Sequence, residues 1–270
     1  MDDRPIGVFD SGLGGLTTVR ELCRLLPEED IVYFGDTGRV PYGSRSRETI
    51  VKYARQDVAF LRTFDLKTIV IACGTVSTTA LDVLAAENPI PVLGVVAPAA
   101  RAAARATRSG SIGLIGTQAS IRSGAYERLI RAENPAARVL AQPCPLFVPL
   151  VENGRFRPGD VVIETVAAEY LAPRKEAGVD TLVLGCTHYP LLEKVIGAYM
   201  GPEVRLINSG AEGARAAADC LRERDALAGP GRGSCRCFVS DRQEDFSRLA
   251  STFLGWDVAQ AVEQVDISQY

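Results

Sequence analysis

Residues 69–73 have the sequence Ile-Val-Ile-Ala-Cys, and residues 182–186 repeat this pattern as Leu-Val-Leu-Gly-Cys. Each is a short apolar run, which is typical of a strand buried on both faces of a parallel sheet. Small polar residues that can begin a helix follow each cysteine. The two runs therefore predict two similar strand–helix units, each with a thiol at the carboxyl end of its strand.

The repetition extends to other parts of the chain. Residues 6–11, Ile-Gly-Val-Phe-Asp-Ser, are matched by residues 112–117, Ile-Gly-Leu-Ile-Gly-Thr, and Val40-Pro41-Tyr42 is matched loosely by Val148-Pro149-Leu150. Helical spacing between the strands, including helices predicted over 77–86 and 120–132, indicates βαβ units. We predict an α/β fold of two pseudo-symmetric lobes, each with a mostly parallel sheet flanked by helices. The active site should lie in the cleft between the lobes.

Composition and charge argue against several classes of protein. The 270 residues are 47% hydrophobic and 23% charged, with a net charge of −3 and no basic stripe, so we expect no nucleic-acid partner. The longest apolar stretch, around Ile90–Ala100, is interrupted by prolines and Gly94, so we expect no membrane partner. The start, Met-Asp-Asp-Arg-Pro, has no basic region followed by an apolar region, so we expect no signal peptide. Seven cysteines, an odd number, argue for a reducing compartment and a cytoplasmic location.

Cys73 and Cys186 are the candidate catalytic residues. Two bases on opposite sides of a cleft can remove a proton from one face of a carbon and return one to the other face, which is what a cofactor-independent racemase requires. A helix start lowers the pKa of a thiol, so we expect both thiols to be activated. The single histidine, His188, shares a face with Cys186 if the segment is extended. Asp10 ends the first predicted strand and Asp36 lies just beyond the second, and a carboxylate at either place could take up a proton or hold a substrate ammonium.

Three other interpretations fit less well. The glycine run Gly12–Gly15 imitates a dinucleotide-binding loop, but Thr17 stands where that motif needs glycine or alanine. A hydrolase built on Cys186 and His188 would leave the first thiol without a role. The segment Cys235-Arg236-Cys237 has the wrong spacing for a zinc site and instead predicts the start of a strand.

Five separated motifs resemble the glutamate racemase family of the aspartate/glutamate racemase superfamily, over residues 6 to about 253. They are Asp10-Ser11-Gly-x-Gly-Gly, Gly35-Asp36-Thr37 with Val40-Pro41-Tyr42-Gly43, Cys73-x-Thr75, Cys144-Pro145-Leu146-x-x-Pro149-Leu150-x-Glu152, and Gly185-Cys186-Thr187-His188-Tyr189-Pro190. The resemblance implies one lobe of residues 1–97 and 208–270 and another of 98–207. It also implies interconversion of L- and D-glutamate for peptidoglycan, without cofactor or metal, in a homodimer.

The resemblance also implies roles for individual residues. Cys73 would take the α-proton of D-glutamate and Cys186 that of L-glutamate. Asp10 would support the first thiol and His188 the second, while Glu152 matches a further polar residue of the family's site. The expected substrate-binding residues are Asp10, Ser11, Tyr42, Gly43, Gly74, Thr75, Thr187 and His188, with Thr117 as an addition.

Gly74 departs from the family pattern, which usually has asparagine after the first cysteine. Loss of that amide would remove a hydrogen bond to a charged substrate group, which costs roughly 1.5–3 kcal/mol. This leaves open a racemase of another amino acid. A different class of alternative is a non-catalytic binding protein on this fold, such as one that acts on DNA gyrase. Family members that do so usually carry extra N-terminal sequence, whereas this chain begins five residues before its first predicted strand.

Overall fold

The computed structural model describes residues 1–256 and 262–270, which form two parallel sheets flanked by helices. The strands are β1 (Ile6–Asp10), β2 (Ile31–Gly35), β3 (Thr68–Ile71), β4 (Val92–Gly94), β5 (Ser111–Gly116), β6 (Arg138–Pro143), β7 (Thr181–Gly185), β8 (Arg205–Asn208), β9 (Cys235–Val239) and β10 (Val262–Gln264). The helices are α1 (Leu16–Leu25), α2 (Arg47–Leu61), α3 (Gly74–Thr79), α4 (Leu81–Glu87), α5 (Val96–Ala106), α6 (Gln118–Ser123), α7 (Ala125–Glu133), α8 (Phe147–Glu152), α9 (Val161–Glu176), α10 (Glu193–Met200), α11 (Ser209–Glu223) and α12 (Gln243–Leu254).

The strand order confirms the predicted repetition. The second sheet has the order β6-β5-β7-β8, and the first contains the equivalent order β2-β1-β3-β4. Strands β9 and β10 extend the first sheet beyond β2. On this strand membership we propose the lobe division of residues 1–97 with 208–270 and of residues 98–207.

Burial explains why these segments form the elements predicted. Every residue of β1, β3 and β7 is buried, because helices cover both faces of each sheet. Helix α1 turns Leu16, Val19 and Leu22 into the core and ends just before Pro27. Ser46 caps α2 by accepting a hydrogen bond from the Thr49 backbone N–H at 3.3 Å, as its sequence position predicts.

Two segments that were each predicted as one continuous helix are divided into two helices. The segment 77–86 divides into α3 and α4 at Ala80, where the backbone has φ −128°. The segment 120–132 divides into α6 and α7 at Gly124, which has φ +63°, a left-handed conformation that favours glycine. Within the described ranges, none of the helices is both long and apolar enough to cross a membrane.

Candidate active site

The carboxyl ends of the central strands of both sheets meet at one cavity of about 420 Å³. Cys73 follows β3, and Cys186 follows β7 at the equivalent place in the other sheet. Most predicted site residues line the same cavity: Ser11, Tyr42, Gly43, Cys73, Gly74, Thr75, Thr117, Glu152, Cys186, Thr187 and His188. This convergence of residues from distant parts of the chain makes the cleft the candidate active site.

Cys73 is a buried thiol, 5% exposed, whose Sγ lies 3.3 Å from the Ser11 hydroxyl. Burial, and next the nearby Asp10 carboxylate, raise the pKa of this thiol to about 12. The prediction that a helix start would lower the pKa was therefore wrong for Cys73. Helix α3 has six residues, and burial outweighs what its backbone N–H groups contribute.

Asp10 lies behind the cavity wall and is 1% exposed. Its Oδ2 accepts a hydrogen bond from the Gly12 backbone N–H at 3.2 Å, and its Oδ1 has no hydrogen-bond partner among the described residues. Burial raises the pKa of Asp10, against the opposing effects of His188 and neighbouring backbone N–H groups. A carboxyl in this state can hold a proton close to the Cys73 thiol.

Cys186 has a different environment, built by His188 and Glu152. The Cys186 Sγ lies 3.9 Å from His188 Nδ1, and His188 Nε2 donates to Glu152 Oε1 at 2.9 Å. Burial lowers the pKa of His188, but the hydrogen bonds to Cys186 and Glu152 outweigh it and raise that pKa to about 10. These partners favour the protonated form of His188, which lies between the Cys186 thiol and the Glu152 carboxylate.

The side chains of Cys186 and His188 meet as predicted, but the backbone conformation predicted to bring them together was wrong. The prediction relied on an extended segment, whereas the backbone at His188 is helical, with φ −81° and ψ −27°. Because His188 begins a short 3₁₀ turn over Tyr189–Leu192, its ring turns back toward the thiol.

Tyr42 lines the cavity, but its hydroxyl points away from it. The hydroxyl lies within hydrogen-bond distance of the carboxyl groups of both Asp36 and Asp57, and Arg39 binds the same two groups. Asp36 accepts a further hydrogen bond of 2.7 Å from the Ser240 hydroxyl, so it stabilises the cavity wall instead of facing the cleft. The Tyr42 ring and backbone remain to contact a ligand.

Direct contacts join the two lobes across the cleft. The hydroxyls of Thr75 and Thr117 share a hydrogen bond of 2.9 Å. A Cβ atom on Gly74 would lie 2.7 Å from the carbonyl oxygen of Gly185, closer than the 3.4 Å at which ordinary contact begins. The place beside Gly74 is thus occupied by the backbone of the opposite lobe.

Ten further cavity residues were not predicted as site residues, although most of them stand in the family motifs: Gly12, Val40, Pro41, Ser44, Gln118, Cys144, Pro145, Val148, Pro149 and Gly185. The repeat could have identified Gln118, because it follows β5 as Gly12 follows β1. Cys144 was interpreted as a buried hydrophobe, and it is buried, although it also touches the cavity. Among the described residues around this cavity, none is lysine or arginine.

With paired thiols at equivalent strand ends of two parallel sheets, the chain belongs to the Asp/Glu/Hydantoin racemase family, whose sequence model matches residues 9–217. The glutamate racemase of Geobacter metallireducens is 49% identical over 94% of both chains. Crystal structures of two glutamate racemases superpose closely. That of isoform RacE1 from Bacillus anthracis has a TM-score of 0.93 at 38% identity over 98% of both chains. That from Francisella tularensis, in complex with D-glutamate, has a TM-score of 0.92 at 37% identity over the whole of both chains.

Proposed function

We propose that the protein interconverts L- and D-glutamate, with Cys73 and Cys186 as the two proton-transferring groups. The observation that carries this proposal is the placement of two buried thiols, at equivalent strand ends, on one cavity. The relatives named above are glutamate racemases, and one of them was crystallised with D-glutamate. No metal or cofactor enters the proposed reaction, since both proton transfers use side chains of the cavity.

The cavity is suited to an amino acid with two carboxylates. Backbone N–H groups at the starts of α3 and α6 and around Thr187 are the available donors for anionic groups. Ser11, Thr75 and Thr117 add hydroxyl donors at the cavity wall. The same donors would stabilise negative charge that develops on the α-carboxylate when the α-proton is removed.

The proton transfers balance without an external acid or base. In the L-to-D direction the Cys186 thiolate removes the α-proton, and the Cys73 thiol donates its proton to the opposite face of the α-carbon. The turnover ends with a Cys186 thiol and a Cys73 thiolate, and proton exchange with solvent restores the starting state. The raised pKa of Cys73 keeps it a donor, and the raised pKa of His188 favours a cation beside Cys186. Asp10 and Glu152 are positioning residues for Cys73 and His188.

Incubation with L-glutamate in deuterated water, without cofactor, tests the mechanism. The D-glutamate first formed should carry deuterium at the α-carbon, because the donating thiol has exchanged with solvent, while unreacted L-glutamate keeps its hydrogen. Cys73→Ala and Cys186→Ala should each abolish D-glutamate formation. Cys144→Ala, which changes another buried thiol of the same cavity, should retain it.

Three results would refute this assignment. D-glutamate that keeps the original hydrogen would show that one base acts on both faces. No exchange with either enantiomer would exclude glutamate as the substrate, and a panel of L-amino acids including aspartate would then test the racemase of another amino acid. Ammonia release with an acyl-cysteine visible by mass spectrometry would instead indicate the hydrolase.

The cellular setting is part of the proposal. We place the protein in the cytoplasm, as a supplier of D-glutamate for peptidoglycan, and seven free cysteines support a reducing compartment. We further propose a homodimer, for which exposed apolar side chains such as Leu146 and Val161 offer surface. Light scattering should give twice the chain mass of 28.9 kDa, and a monomer at micromolar concentration would refute the dimer.

A further inference from the structure

Residues 12–17 of the first lobe lie against the second lobe where Cys186 and His188 stand. Gly14 has no room for a side chain, because a Cβ atom there would lie 2.5 Å from Nδ1 of His188. That nitrogen is the one that faces the Cys186 thiol. The glycine run that imitates a dinucleotide-binding loop therefore serves a close contact between the lobes.

The backbone carbonyl of Thr187 needs a hydrogen-bond donor from outside its own turn. The carbonyls on either side of it, those of Cys186 and His188, each accept a hydrogen bond from the backbone N–H three residues further on, at 3.1 and 3.2 Å. The residue three positions after Thr187 is Pro190, which has no N–H. Buried backbone carbonyls are almost always paired, so a donor must come from another segment.

Thr17, at the start of α1, supplies that donor. Its hydroxyl lies 2.9 Å from the carbonyl oxygens of both Thr187 and Gly14. The Gly14 oxygen already accepts the Thr17 backbone N–H at 3.0 Å, whereas no other donor among the described residues reaches the Thr187 oxygen. Both threonines are buried, with 1% of Thr17 and 8% of Thr187 exposed, so solvent is a poor substitute for this hydroxyl.

The contact fixes the part of the chain that carries the second thiol. Thr187 stands between Cys186 and His188, so a fixed Thr187 carbonyl restrains the residues on both sides. Thr17 follows β1, and Cys73 follows the neighbouring strand β3 of the same sheet. The hydrogen bond therefore ties the segment of one thiol to the sheet that carries the other.

We infer that Thr17 is a positioning residue, whose hydroxyl holds residues 186–188 at a fixed place across the cleft from Cys73. Thr17 does not line the catalytic cavity, so it acts through the Thr187 backbone. Its effect on turnover rests on the proposed function, whereas its effect on the position of His188 does not.

Three variants test the effect on turnover. Thr17→Val keeps the shape of the side chain and removes the hydroxyl, and Thr17→Ser keeps the hydroxyl. Thr18→Val is the matched control, because Thr18 is the next residue of α1, is fully buried, and its hydroxyl has no partner among the described residues. We expect Thr17→Val to lower kcat for glutamate at least tenfold with KM within threefold, since the reacting groups lose their alignment. Thr17→Ser should recover most of that loss, and Thr18→Val should stay within twofold of the unchanged protein.

The chain has a single histidine, which gives a direct readout of position. In protein freed of any histidine tag and made with isotope-labelled histidine, the one ring signal in the NMR spectrum belongs to His188. Thr17→Val should move this signal by more than its linewidth, whereas Thr18→Val should leave it in place. A role of Thr17 in stability alone would lower the free energy of unfolding in urea without moving the signal.

A second background supplies the missing donor locally. Pro190→Ala gives the residue after Tyr189 an N–H that can reach the Thr187 carbonyl, so in this background Thr17→Val should cost less than threefold in kcat. The double variant also keeps the test available if Thr17→Val alone does not fold. A full tenfold loss in that background would refute the argument from the missing donor.

The inference fails if the His188 signal is unchanged in Thr17→Val, or if Thr18→Val loses as much kcat as Thr17→Val. It also fails if Thr17→Ser is as slow as Thr17→Val, because the hydroxyl would then not be the group that matters. An unchanged protein that does not racemise glutamate would refute the proposed function, and the His188 signal would still decide whether Thr17 holds the segment.

Discussion

Gly74 allows the sharpest test of how closely the lobes must approach. Its missing Cβ leaves room for the carbonyl oxygen of Gly185 in the other lobe. In Gly74→Ala the added atom would lie 2.7 Å from that oxygen, about 0.7 Å short of the 3.4 Å of ordinary contact. The contact joins the backbone of Gly185 to the first residue of α3, and neither can turn aside as a flexible side chain would. The two lobes must therefore separate to relieve it.

The expected loss of activity follows from that displacement. A misplacement of about 1 Å in an active site can reduce the rate by about a hundredfold, so a shift of ~0.7 Å should lower kcat/KM for glutamate by about tenfold to a hundredfold. The free energy of unfolding should change much less. Alanine in place of a helical glycine gains roughly 0.5–1 kcal/mol, which offsets part of the strain. We therefore expect Gly74→Ala to lose activity while its free energy of unfolding changes little.

The assay compares kcat/KM for both enantiomers with urea unfolding. Gly231→Ala is the matched control, because a Cβ there meets nothing within 4 Å, and it should leave kcat/KM unchanged. Gly74→Asn would restore the amide usual in the family, yet the same contact predicts lower activity. Activity within twofold of the unchanged protein in Gly74→Ala, or a gain in Gly74→Asn, would refute the close-approach reasoning.

Three further predictions concern two charge pairs, His188 with Glu152 and Lys67 with Glu29. Glu152→Gln removes the carboxylate that helps to raise the pKa of His188 to about 10, so the alkaline limb of kcat/KM for L-glutamate should move to lower pH, while exposed Glu169→Gln leaves it in place. The stabilisation that His188 gains from its partners should be complete below pH 6.5 and be lost as pH rises through about 10, as urea unfolding across that range can check. Lys67→Met leaves the buried carboxylate of Glu29 without its cation, at the end of the sheet opposite the cleft. This variant should lower the free energy of unfolding by about 3–5 kcal/mol. Its kcat should stay unchanged, and an equal loss of kcat would contradict this separation of stability from catalysis.

Much of the fold could be predicted because its signals are local. Buried parallel strands are continuous apolar runs, and two copies of each run appear in the same order, so the paired sheets follow from comparing the chain with itself. The breaks at Ala80 and Gly124 were missed because each interrupts a helical pattern that continues on both sides. Helix α8 was missed because the prolines around Phe147–Glu152 obscure its spacing.

The candidate site was predictable in position and less so in chemistry. Strand ends place Cys73 and Cys186 without any tertiary information. The Tyr42 hydroxyl, by contrast, binds carboxylates at residues 36 and 57, and no local pattern shows that it turns from the cleft. The contact between His188 and Glu152 spans 36 residues, so only the family resemblance drew attention to Glu152.

The repeat explains where the thiols lie, and the departures from the repeat explain why they differ. Both sheets end their central strand in a cysteine, yet Cys73 faces a buried carboxyl and a hydroxyl, while Cys186 faces a protonated imidazole. Two equivalent thiols in identical surroundings would hold a single proton equally well on either side, so only a difference in surroundings decides which thiol is the acid. In this pseudo-symmetric fold the neighbours Asp10 and His188 break the symmetry, and under the proposed reaction they decide which thiol starts as the acid and which as the base.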